Sequence, residues 1–165
     1  MKSFRKQLLS ALFLLITLAV DAQHNHEEHE HNDAHKNHLG IGAAATYLST
    51  ESVFAPGFHL HYLRQFGHEN RWGLGAGFEV IADEHAHNAL NLLVNYRPVP
   101  FLSLNAGPGI VFAKHEGEAE IHPAFHTEAV FEFDIFGFHA GPMIGFGVDP
   151  EETHFAVGIH VGLGF

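Results

Sequence analysis

The sequence contains no cysteine and few basic residues. Its 165 residues include 8 Lys and Arg against 19 Asp and Glu, which gives a formal net charge of −11. The missing cysteine excludes disulfide bonds and metal sites built on thiolates. The shortage of basic residues disfavours binding to nucleic acid or to anionic lipid head groups. A chain this acidic favours cations as partners.

Long apolar runs are also scarce. The run from Leu8 to Val20 follows a positively charged start, MKSFRK. It is shorter than the ~20 apolar residues that a membrane-spanning helix needs, but it has the length of a signal-peptide core. The small residues Val20 and Ala22 occupy the positions that a signal peptidase reads, so we expect residues 1–22 to be a signal peptide. The remaining residues, 23–165, retain 5 basic residues, 18 acidic residues and all 17 histidines.

Residues 23–38 form a low-complexity segment that has almost no apolar side chains. Such a segment cannot bury a core, so we expect a disordered, periplasmic, histidine-rich tail. Imidazole is a common ligand for zinc, copper and nickel, and the interleaved carboxylates can complete a ligand shell. The alternative is a solvated leader with incidental metal affinity. The candidate ligands in the tail are His24, His26, His29, His31, His35 and His38.

From Leu39 onward the pattern has a period of two. In the last segment, large apolar residues from Phe155 to Phe165 alternate with His, Ala and Gly. A face of small and polar residues suits the interior of a narrow barrel whose large residues face lipid. The pattern predicts an all-β domain over 39–165. We expect eight strands near 39–49, 54–66, 71–82, 88–97, 101–113, 121–135, 136–148 and 153–165.

The connections between these strands alternate in character. Tight turns are expected around Gly67, at 97–100 and at 134–137. Longer polar loops are expected at 49–52, 83–88, 114–120 and 149–152. Short periplasmic turns and longer outer loops are typical of outer-membrane barrels, so we expect both chain ends on the periplasmic side.

Over residues 39–165 the chain resembles the small eight-stranded outer-membrane barrel families of the OmpA-transmembrane-domain, OmpX and OmpW type. The resemblance rests on the signal peptide, the eight alternating strands and the terminal VGIHVGLGF ending at Phe165. It implies an antiparallel up-and-down transmembrane β-barrel in the bacterial outer membrane, in contact with lipid. It also implies assembly by the machinery that reads a C-terminal aromatic residue, and we expect a monomer.

The outer loops contain a second set of candidate metal ligands. Histidines lie beside carboxylates in three loops that this topology brings to one rim, where the summed negative potential would concentrate cations. A hydrated acidic loop surface without a ligand is the alternative. The candidate ligands at the rim are His85, His87, His115, His122 and His154.

The barrel interior provides a third set. Polar and ionisable groups inside a barrel must pair, titrate or bind a ligand, because burying them without a partner is costly. A polar network that only stabilises the barrel is the alternative. The candidate metal ligands inside are His59, His61, Glu79, His126, Glu128, His139 and His160, and Glu132, Asn91, Asn95 and Asn105 are expected beside them.

No enzymatic motif is present. The sequence has neither the G-x-S-x-G nucleophile motif nor the H-E-x-x-H zinc motif, so we expect no enzyme and no required cofactor. The leading hypothesis is an outer-membrane barrel that binds divalent metal ions, zinc first and copper or nickel next, in metal acquisition or homeostasis. A structural or adhesion barrel without a metal role and a narrow pore for small solutes are the alternatives.

Overall fold

A computed structural model describes residues 36–83, 87–115 and 118–165, with side chains for all of these except 114, 115, 118 and 119. Within these ranges no helix is long and apolar enough to cross a bilayer. The described residues form nine strand segments. These segments are β1 (Asn37–Leu48), β2 (Val53–Phe66), β3 (Trp72–Ile81), β4 (His87–Val99), β5 (Leu102–His115), β6 (Glu118–Phe131), β7 (Phe133–Ile135), β8 (Phe138–Val148) and β9 (Thr153–Gly164).

All pairings between the strands are antiparallel, and they close the sheet into a barrel. β1 pairs with both β2 and β9, and β6 pairs with β8. The short β7 continues β6 beyond Glu132 and pairs with β8 in the same register. The wall therefore has eight strands, β6 and β7 being two parts of one. The predicted eight-stranded antiparallel barrel is confirmed.

Local sequence explains the interruption at Glu132. The opposite residues on β8 are Gly141 and Pro142. A Cβ atom on Gly141 would lie 1.9 Å from the carbonyl oxygen of Phe131, so the two backbones approach too closely there for any other residue. Pro142 has no N–H to donate to the ladder. The strand consequently loses its regular pairing at this point without a shift of register.

The two ends of the barrel differ. The end that holds Asn37 and Phe165, which we call the terminal end, has the tight turns. One of these contains a 3-10 turn, His68–Asn70, and another places Phe136 and Gly137 at positive φ. The opposite end, which we call the loop end, is where the chain passes from β1 to β2, from β3 to β4, from β5 to β6 and from β8 to β9. The predicted loop at 114–120 is wrong in extent, because β5 and β6 remain paired as far as residues 115 and 118.

The two faces of the wall have opposite compositions. Large apolar side chains point outward and are exposed, such as Leu92 at 68% and Val157 and Ile159 at 64%. The inward face carries glycine, alanine, amides, carboxylates and imidazoles. A soluble sheet protein buries its large apolar face, whereas this barrel presents that face to its surroundings, as a barrel in lipid does.

Candidate metal centre

Interior histidines lie opposite glycines on neighbouring strands. A Cβ atom on Gly147 would lie 2.2 Å from the His154 ring, so only glycine leaves room for the imidazole at that position. Because side chains on antiparallel partners face the same side of the sheet, each of these glycines provides space inside the narrow barrel. The register pairs are Gly40 with His61, Gly42 with both His59 and His160, Gly107 with His126, Gly147 with His154, and Gly162 with His139.

One group of ligands, which we call the upper cluster, consists of Glu79, His126 and His154. Nδ1 of His126 lies 3.3 Å from one Glu79 carboxylate oxygen, and Nε2 of His154 lies 3.5 Å from the other. The three side chains are only 10–11% exposed. They come from β3, β6 and β9, which the barrel brings together across its interior. A carboxylate placed between two imidazoles is a ligand set that zinc takes in proteins.

A second group, the central cluster, consists of His59, His61 and His160. The ring centroids of His61 and His160 are 5.0 Å apart, and the rings are nearly parallel. The ligand nitrogens of all three residues lie within 4.8 Å of one another. Among the described residues, Nε2 of His59, Nε2 of His61 and both ring nitrogens of His160 have no hydrogen-bond partner.

A series of hydrogen bonds between amide side chains leads to Glu128, which lies beside the central cluster. Nδ1 of His59 lies 3.4 Å from one Glu128 oxygen, and Asn105 donates a 3.0 Å hydrogen bond to the other. Asn95 in turn donates to the side-chain oxygens of Asn105, at 2.8 Å, and Ser103, at 2.7 Å. Glu128 is thereby fixed as a partner of His59.

A third group closes the terminal end. Arg97 donates a short hydrogen bond to Glu132, whose other oxygen lies 4.0 Å from Nε2 of His38. The His38 ring is 5.9 Å from both His139 and His160, measured between centroids. The buried Glu132 carboxylate thus has an arginine on one side and the histidines on the other.

At the loop end Glu120, His122 and Glu151 form the rim cluster. Nε2 of His122 lies 3.1 Å from a Glu120 oxygen and 3.6 Å from a Glu151 oxygen. Its side chain is 20% exposed, so this cluster is open to solvent. Exposed carboxylates of this kind attract cations weakly and reversibly, because water screens them.

Two small cavities lie along the interior. One, of about 20 Å³, is lined by residues of both the central and the upper clusters, among them His59, Glu79 and His126. The other, of about 10 Å³, is lined by Glu79 and His154 and also by Asp149 and Glu152 of the loop end. Each is large enough for about one water molecule or bare ion.

The structure places the interior candidates as expected, and it corrects three others. The sequence predicts His38 in the tail, but His38 lies on β1 and its side chain is buried in the barrel interior. His154 was assigned to a rim loop, but it lies on β9 and faces the interior. His122 belongs to β6 rather than to a loop, although it remains near the rim. β1 and β6 begin two and three residues before the predicted boundaries at 39 and 121, because backbone pairing does not stop where polar residues begin. β9 begins at residue 153 as predicted, and that predicted strand already contains His154.

The other rim and tail candidates have mixed outcomes. His87 begins β4, and its Nδ1 lies 2.6 Å from an Asp83 oxygen. The His115 side chain lies outside the described part of the chain. Five tail histidines and one loop histidine also lie outside the described residues, and they are His24, His26, His29, His31, His35 and His85.

Sequence reasoning missed Arg97 as an interior partner. It follows the outward-facing Tyr96 in a segment that composition assigns to a turn. Its place on the inward face of β4 is given by the same period of two that identified Asn91 and Asn95. Extending that alternation two residues further would have found it.

No protein-family model matches the chain, and no curated protein matches it significantly. Solved structures do match. The Yersinia pestis outer-membrane protein Ail in a phospholipid bilayer nanodisc is 14% identical, with a TM-score of 0.52 over 78% of this chain and 98% of that one. A de novo designed transmembrane β-barrel is 15% identical, with a TM-score of 0.51 over 76% and 95%. Neisserial surface protein A is 8% identical, with a TM-score of 0.50 over 79% and 97%. The chain therefore has the fold of small eight-stranded outer-membrane barrels.

Proposed function

We propose that the protein is an outer-membrane β-barrel that binds a divalent metal ion, zinc first, at Glu79, His126 and His154. The observation that carries this proposal is the placement of a buried carboxylate between two buried imidazoles at 3.3 and 3.5 Å. The membrane location is supported by the fold and by the exposed apolar outer face.

The spacing of the ligand atoms in the upper cluster suits an ion with tetrahedral coordination. Ligands that bind zinc at about 2.0–2.2 Å lie roughly 3.4 Å from one another in a tetrahedral shell, and the two separations between Glu79 oxygens and imidazole nitrogens are close to this value. Three protein ligands would leave a fourth position for water or for an exchanging ligand. The negative charge of Glu79 would offset part of the cost of moving a dication into the interior.

The loop end is the side from which we expect cations to approach. The rim cluster and Asp149 place carboxylates at the entrance, and their negative potential raises the local cation concentration. The cavity of about 10 Å³ is lined by Asp149 of this entrance as well as by Glu79 and His154. Buried apolar side chains, Leu48 and Ile81 among them, line the same cavity and slow exchange with solvent.

The proposed orientation of the barrel in the membrane sets the position of the histidine-rich tail. Tight turns at the terminal end favour a periplasmic position for both chain ends, with the acidic rim outside the cell. The tail histidines would then lie on the periplasmic side and would buffer or receive the ion. A cavity that holds about one water molecule suits ion binding better than passage of a larger solute.

Calorimetric titration with zinc tests the interior site. The full chain is refolded in detergent with His24, His26, His29, His31 and His35 replaced by asparagine, so that tail binding does not obscure the interior. One zinc ion should still bind, and Glu79→Gln or His154→Asn in the same background should abolish that binding. The control is His68→Asn, because the His68 side chain is 90% exposed in a turn far from the cluster.

Gel mobility with and without heating shows whether each variant has folded. Zinc binding that persists unchanged in folded Glu79→Gln and His154→Asn variants would overturn the assignment. No heat above that of a histidine-poor barrel would leave the protein as a structural or adhesion barrel.

A further inference from the structure

We infer that the interior holds a second, chemically distinct metal site at His59, His61 and His160, and that this central cluster takes Cu²⁺. This second site rests on the proposed function in one respect, because metal ions must be able to reach the barrel interior. It concerns different residues, a different ligand set and a different ion.

The position of Gly40 shows that two ligand nitrogens converge. A Cβ atom on Gly40 would lie 2.2 Å from Nε2 of His160 and 2.4 Å from Nε2 of His61. Both nitrogens therefore lie over the same point of the wall. On the next inward position of β1, a Cβ atom on Gly42 would lie 2.6 Å from Nε2 of His59. Two glycines thus provide the space in which three imidazoles meet.

These nitrogens are buried and lack partners. His160 is 0% exposed and His61 is 3% exposed. Among the described residues, neither ring nitrogen of His160 has a hydrogen-bond partner, and Nε2 of His61 and Nε2 of His59 have none either. A buried polar atom without a partner costs free energy that a bound ion would recover. The barrel wall does not need these three histidines for its stability, because the backbone hydrogen bonds between the strands already hold it together.

Glu128 prepares His59 as a ligand. Its carboxylate lies 3.4 Å from Nδ1 of His59, which favours a proton on Nδ1 and leaves Nε2 free to bind metal. The hydrogen bond from Asn105 holds the carboxylate in place. Glu128 is therefore a positioning residue for the central cluster.

The chemistry of the ligands indicates the ion. The central cluster offers three neutral nitrogen ligands and no carboxylate, whereas the upper cluster offers two nitrogens and an oxygen. Imidazole ligands disfavour magnesium, calcium and manganese, and among divalent first-row ions copper binds such a set most tightly. Because the rings are nearly parallel, a shared ion requires them to rotate, and His59 and His61 line the adjoining cavity of about 20 Å³.

Electron paramagnetic resonance with one equivalent of Cu²⁺ tests this site, in the full chain with the five tail histidines replaced. The expected spectrum shows coupling to three imidazole nitrogens. Gly40→Ala should remove that signal without removing any ligand, because its methyl group would occupy the space of the two nitrogens. Gly145→Ala is the matched control. The atom nearest to a Cβ on Gly145 would be Cβ of Ala156 at 3.4 Å, which is an ordinary van der Waals contact.

Glu128→Gln provides a second variant in case Gly40→Ala does not fold. It should weaken copper binding by about 10–100-fold and change the copper hyperfine splitting, which a purely structural role would not do. Zinc binding at the upper cluster should remain in both variants.

The two proposals fail in different ways. A copper spectrum with two nitrogens that is lost in Glu79→Gln and kept in Gly40→Ala would overturn the central site and leave the upper site standing. Loss of zinc binding alone, with the three-nitrogen copper signal intact, would do the reverse.

Discussion

Arg97 on β4 and Glu132 at the junction of β6 and β7 form an ion pair inside the terminal end of the barrel. The Glu132 side chain is 2% exposed and that of Arg97 is 19% exposed. The pair joins strands that are not neighbours in the sheet, and it holds the carboxylate beside His38.

Removing only the arginine should be costly. Arg97→Met leaves a buried carboxylate without its partner, so we expect the free energy of unfolding to fall by about 3–5 kcal/mol. The double variant Arg97→Met with Glu132→Met should lose much less, because an apolar pair needs no compensating charge. Urea unfolding in detergent measures both. Equal losses in the single and double variants would show that the loss does not come from an unpaired Glu132 carboxylate.

Zinc should raise the thermal stability of the barrel. A ligand that binds only the folded state stabilises it by about 2.7 kcal/mol at a free concentration of 100 times its dissociation constant. A chelator should remove this gain, and the His154→Asn variant should not show it. Magnesium is the control ion, because it prefers oxygen ligands in an octahedral shell. A thermal midpoint that zinc leaves unchanged in the tail-substituted chain would contradict the interior site.

Glu152 should make the loop end sensitive to acid. Burial raises the pKa of its carboxyl group, but hydrogen bonds from the backbone N–H groups of Thr50 and Thr153 outweigh this and hold the pKa below its usual range. The bond from Thr50, of 2.9 Å, joins the connections at 49–52 and 149–152, and the bond from the adjacent Thr153 measures 2.8 Å. A lowered pKa contributes stability above the unfolded value of about 4.3, and the contribution is lost as the pH falls through the folded value.

The test is the difference in unfolding free energy between the unmodified chain and Glu152→Gln. We expect about 1–2 kcal/mol at neutral pH, because the neutral amide accepts weaker hydrogen bonds than the carboxylate. The difference should shrink as the pH falls below about 4. A difference that stays constant between neutral and acidic pH would argue against the charged contacts.

Replacing Phe136 should stabilise the barrel. This residue has a φ of 55° and is 98% exposed at the tip of a terminal-end turn. Left-handed backbone costs a residue with a bulky side chain about 1 kcal/mol or more, and asparagine tolerates it better. Phe136→Asn should therefore raise the free energy of unfolding by roughly 1 kcal/mol. A loss of stability would mean that the aromatic ring gains more from its surroundings than the backbone strain costs.

The sequence by itself determined the barrel, its eight wall strands and most of the residues that face inward. The period of two from Leu39 to Phe165 carries this information, because a strand turns successive side chains to opposite faces. Turn residues such as Gly67 and Gly137 marked the tight connections. The interior set around His59, His61 and Glu79 followed from the same alternation.

Only the tertiary structure decided which of these residues meet. Glu79, His126 and His154 are far apart in the chain, and their contact depends on the register of every intervening strand and on the closure of the sheet. The same holds for Gly40, whose role as the wall beneath His61 and His160 follows from pairing with β2 on one side and β9 on the other. Composition made His154 look like a loop residue, whereas the backbone ladder extends past it and turns it inward, where Gly147 leaves it room.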